Sequence, residues 1–163
     1  MNNLHYIVKK VKDSELLGMF GCGWLRKNQG KVRQYAANYE RAAWMKVLNC
    51  LRGEEIHVNG GISSGVSRQA PEDKFKSLNF AIEDTLRKHS GWMVPDVQLQ
   101  EELRISIAEK MIPAYRSFSG SFRSYFESVR HSERSIKYTP EDLEVHLSDL
   151  FQSDPSSTRS RKS

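Results

Sequence analysis

Apolar residues recur every three or four positions along almost the whole chain, and no segment alternates with a period of two. Leu4, Ile7, Val8 and Val11 mark a first amphipathic helix, with Lys9, Lys10 and Lys12 among them. Gly18, Gly21 and Gly23 interrupt the pattern. It resumes from Trp24 to Leu51 through Leu25, Val32, Tyr35, Ala36, Tyr39, Ala43, Val47 and Leu48. A helix of that length would span roughly 42 Å at about 1.5 Å per residue, as in a bundle or rod. Residues 53–70, with Asn59-Gly60-Gly61 at their centre, read as a surface loop. Pro71 opens the next helix, with Phe75, Leu78, Ile82, Leu86 and His89 on its buried side. Pro95-Asp96 is a stop followed by a cap. Leu99, Leu103, Ile107 and Met111 define a further helix that Pro113 must kink or restart. Tyr115, Phe118, Phe122, Tyr125, Phe126 and Val129 continue the stripe beyond it.

The last helix carries the clearest start signal. Thr139 is an N-cap, Pro140 suits the first helical position, and Asp142 puts a carboxylate where the backbone N–H groups are unpaired. Leu143, Leu147, Leu150 and Phe151 form its apolar stripe. The fold class is therefore all-α, an elongated antiparallel helical bundle of five or six helices. It occupies residues 1–152 and leaves a disordered basic tail at 153–163.

Composition narrows the function more by exclusion than by indication. The 163 residues suit one domain, and the net charge of +5 favours polyanions. Cys22 and Cys50 form no paired framework or metal spacing. The five histidines are scattered, so no metal set is expected, and His89 reads as a packed or capping residue. The glycine-rich loop lacks the Gly-Lys-Ser/Thr ending of a phosphate loop. Glu101-Glu102 and Glu141-Asp142 read as carboxylates complementing helix starts. The aromatics from 115 to 126 read as core. No catalytic residue and no cofactor is expected, and an enzyme is excluded. No secretory signal and no membrane-spanning stretch is legible.

One charged feature stands out. Arg116, Arg123 and Arg130 are seven apart, so on a helix they project along one edge, and Arg134 and Lys137 extend that line. Between Arg116 and Lys137 five basic residues face two acidic ones, Glu127 and Glu133. Near an acidic leaflet each cation contributes about 1 kcal/mol, so three give about 3 kcal/mol, or roughly a hundredfold enrichment. That is recruitment to an anionic surface rather than firm anchoring. A basic helical nucleic-acid binder is the alternative reading, and it predicts steeply salt-dependent binding.

Several segments in one order carry a family resemblance: Asn2 to Val8, Gly30 to Tyr35, Asn38 to Ala42, Phe75-Lys76, Glu101 to Ile107, Ile112 to Arg116 and Lys137 to Phe151. Through them the chain resembles the C-terminal part of the seventy-kilodalton exocyst subunit of land plants. The resemblance implies the C-terminal end of a rod of stacked helical bundles, tethering secretory vesicles to the plasma membrane without catalysis. It implies other exocyst subunits as partners, with pathogen effectors and small GTPases as further candidates, and no nucleic acid. It implies a cytoplasmic protein recruited peripherally to the plasma membrane. It also implies contact with phosphatidylinositol 4,5-bisphosphate through Arg130, Arg134 and Lys137. Arg130 and Arg134 stand where animal relatives carry lysine, and Ser135 stands where an aromatic is familiar. Met19-Phe20-Gly21-Cys22-Gly23 replaces a more polar turn, and Met1 reads as an internal methionine with further bundles upstream in the family.

Overall fold

The computed structural model describes residues 1–52, 71–123 and 136–151, and every regular element among them is helical. The helices are α1 (Asn2–Lys12), α2 (Leu16–Arg52), α3 (Pro71–His89), α4 (Val97–Ser121) and α5 (Pro140–Ser148). The glycine loop, Tyr125, Phe126 and Val129, and the basic tail lie outside the described residues.

Helix α2 packs against α1, α3 and α4, and α4 carries α5. The seam is built from the expected stripes. Phe75, Leu78 and Ile82 of α3, Leu99, Leu103, Ile107 and Met111 of α4, Val47 and Leu51 of α2, and Leu143 and Leu147 of α5 belong to one core. Full burial of one such side chain contributes about 1.5–3 kcal/mol. Two positions of the α2 and α1 stripes turn outward instead: Tyr35 and Ile7 are about half exposed. On α2, Trp44, absent from the expected stripe, is buried where Tyr35 is not. A long helix rotates its stripe slowly around its axis, so a periodicity read over 28 residues drifts off the contact face.

The glycine cluster breaks the chain at one position, not three. Gly21 has φ 78° and ψ 160°, whereas helical backbone surrounds it from Leu16 onward. That conformation is essentially closed to residues with a Cβ. Pro113 does not restart its helix, because α4 runs through it from Val97 to Ser121. Its missing donor costs one ladder bond, which burial of Met111, Ile112 and Tyr115 around it outweighs. The helix does end earlier than the apolar pattern suggests. Phe122 closes it with φ −107° and ψ 2°.

Candidate anionic-surface contact site

The α5 end of the bundle is fixed at both ends of that helix. At its start, the Thr139 hydroxyl accepts the Asp142 N–H at 3.0 Å, while Asp142 accepts the Thr139 N–H at 2.8 Å. The Thr139 N–H, and after it the Thr139 hydroxyl, donate to the Asp142 carboxylate and hold it below the usual carboxylate range. Just past its end, Leu150 and Phe151 stay buried although the helix stops at Ser148. Arg104 Nε donates to the Leu150 carbonyl at 2.8 Å, and Gln100 donates to that of Phe151. Two long side chains of α4 therefore take up the carbonyls of the two residues that follow the Asp149 cap. Upstream, the Tyr115 hydroxyl donates to the Tyr138 carbonyl, so the segment entering α5 is pinned to α4 as well.

These anchors place the expected cations. Arg116 projects from α4 and reaches α5, with Nη2 at 3.2 Å from Glu144 and 3.8 Å from Glu141. Lys137, just ahead of α5, donates to Glu83 of α3 at 2.7 Å and lies over the Tyr138 ring. The Glu83 contact is the first cause that raises the Lys137 ammonium above its ordinary range. Both cations keep more than half of their side chain in solvent, 57% for Arg116 and 55% for Lys137. Arg123 is exposed and lies beyond the end of α4, so it does not continue the edge of that helix from Arg116. Arg130 and Arg134 lie outside the described residues. The linear count of two acidic residues also misses three carboxylates, Glu83, Glu141 and Glu144, which come from α3 and α5.

No three acidic, histidine or cysteine side chains converge as a metal site among the described residues. His89 is buried, with Nδ1 3.3 Å from the Tyr39 hydroxyl and its ring edge-on to Trp92. Burial, with Lys88 nearby, lowers its pKa. Burial pushes the Cys50 thiol up, away from the nucleophilic thiolate. A groove of ≈ 310 Å³ between α2 and α4 has Trp44, Ile107 and Met111 among its lining, with the Glu40–Lys110 ion pair at its rim. Glu101 and Glu102 fall past the first turn of α4, where they meet Arg104 and Gln98 and do not serve the helix start. Tyr115 and Phe118 are core residues, closed to base stacking, and Phe118 packs 4.9 Å from Phe75. No described helix is long and apolar enough to cross a membrane.

Comparison with known proteins identifies the bundle. The family model for the C-terminal region of the Exo70 exocyst complex subunit matches residues 1–149. Exocyst complex component EXO70C1 of Arabidopsis thaliana is 40% identical over 158 residues, covering 96% of this chain and 24% of that protein. EXO70A1 of the same plant is 39% identical, covering 93% and 25%. The crystal structure of the S. cerevisiae exocyst component Exo70p superposes with a TM-score of 0.69 at 22% identity, over 92% of this chain and 25% of that one. The chain thus spans about a quarter of the length of the relatives it matches. Over that span the chain belongs to the Exo70 family of exocyst subunits, matching its C-terminal part.

Proposed function

We propose that this chain works as a non-catalytic part of an exocyst subunit, meeting other exocyst subunits and the anionic face of the plasma membrane during vesicle tethering. Family membership supports the exocyst role. The membrane contact rests on one observation: Arg116 and Lys137 are held in place by folded partners yet keep their charged ends in water. Fixed, exposed cations lose little side-chain entropy when a lipid phosphate replaces a carboxylate as their partner. Arg123, Arg130 and Arg134 belong to the same strip in sequence, and phosphatidylinositol 4,5-bisphosphate is the polyvalent head group that suits it. Recruitment is from the cytoplasm and peripheral.

Sedimentation with phosphatidylcholine vesicles, with and without phosphatidylinositol 4,5-bisphosphate, tests the reading. Charge reversal of Arg130, Arg134 and Lys137 should weaken vesicle affinity by at least about a hundredfold, since loss of each cation alone removes about 1 kcal/mol. Equal pelleting of wild type and the triple variant would remove the assignment of the contact to these three residues.

A further inference from the structure

Phe80 lies on the outer side of α3 and is 63% exposed. Its surroundings are cationic. Lys46 of α2 sits over the ring, with Nζ 4.9 Å from the centroid. The same ammonium is 3.8 Å from Asp84, one turn beyond Phe80. Asp84 also holds Arg87 at 2.9 Å and Lys88 at 2.7 Å. Three cations thus share one carboxylate, and Arg87 stands two turns from Phe80 on the same stripe. On the other flank is Glu83, three residues from Phe80, which binds Lys137. The face therefore adjoins Lys137, just ahead of α5.

We propose that this α3 face is a bilayer contact, in which Phe80 enters the headgroup–acyl boundary of an anionic membrane while Lys46, Arg87 and Lys88 meet lipid phosphates around it. It rests on the anionic-membrane reading above and adds to it an apolar contact on a different helix. The complementarity is twofold. An excess of cations over carboxylates matches the phosphate layer, and the ring matches the apolar depth beneath it. Long basic side chains can bend toward the headgroups while the ring moves inward, as aromatic side chains do at such boundaries.

The test uses the full chain, vesicles of phosphatidylcholine with phosphatidylserine and phosphatidylinositol 4,5-bisphosphate, and soluble inositol trisphosphate as a headgroup without a bilayer. Phe80→Ser should need about fivefold more lipid for half-pelleting, whereas Phe80→Trp should match wild type. Inositol trisphosphate should bind all three alike. Unchanged pelleting of Phe80→Ser, with Lys137→Glu weakened, would overturn this inference, leave the face to a protein partner, and keep the lipid reading. Loss of vesicle binding by Phe80→Ser with Lys137→Glu unaffected would support the α3 face and remove the Lys137 assignment. Equal loss of inositol trisphosphate by Phe80→Ser would overturn insertion, and absence of wild-type pelleting would overturn both.

Discussion

Lys9 and Asp96 close a 2.7 Å ion pair between α1 and the N-cap of α4. The other oxygen of Asp96 accepts the Leu99 N–H at 2.9 Å and lies 3.2 Å from His5 Nε2. One carboxylate thus caps a helix and ties down the first helix of the chain.

That double duty makes Asp96 acid-sensitive. The Lys9 ammonium and the Leu99 N–H lower its pKa to about 2. A lowered carboxylate pKa stabilises the fold above the unfolded value, and that stabilisation is lost as pH falls through the folded one. Asp96→Asn should therefore flatten the loss of stability between about pH 4 and about pH 2. Asp96→Ala should also lose the cap, at about 1–2 kcal/mol at neutral pH, or roughly 2–8 °C in Tm. Thermal unfolding at a series of pH values reads both.

His89 works in a higher window. Its folded pKa is lowered, so its neutral form belongs to the native state. Below about pH 6.5 the unfolded chain takes up a proton that the folded one refuses, so stability declines as pH falls toward the folded value. His89→Gln should remove this slope in melts taken between neutrality and mild acid. An unchanged slope would assign it to other groups.

Gly21 and Gly23 should respond oppositely to the same change. A Cβ at either meets open space, so backbone alone decides. Gly21→Ala forces alanine into a conformation costing about 1–3 kcal/mol. Gly23→Ala, within helical backbone, should gain about 0.5–1 kcal/mol. Denaturant midpoints of the two variants provide the comparison.

Thr139→Ala should cost about 1 kcal/mol by removing the acceptor for the Asp142 N–H. Faster amide hydrogen exchange in α5, with α3 unchanged, would localise the loss to that helix. Uniform exchange changes would contradict the local cap.

Local spacing along the chain is enough to locate the helices and much of the core. The α3, α4 and α5 stripes are all read from local spacing, and local spacing is what decides which side of a short helix is apolar. The Thr139 cap was legible for the same reason, since donor and acceptor are three residues apart. Gly21 could be suspected but not separated from Gly18 and Gly23, because all three glycines permit a break and only the packing of α1 beside α2 selects one.

The electrostatics of the candidate site arise from helix packing and are not legible along the chain. Arg116 and Lys137 look unopposed along the chain, yet α5 and α3 bring Glu144 and Glu83 to them. The Phe80 face is equally invisible in sequence, because Lys46 reaches that ring from another helix. Charge interactions depend on distance in space, and helix packing brings together groups far apart along the chain. Hydrophobic periodicity survives translation into a fold because each helix carries its own pattern, whereas an ion pair between helices exists only once both are in place.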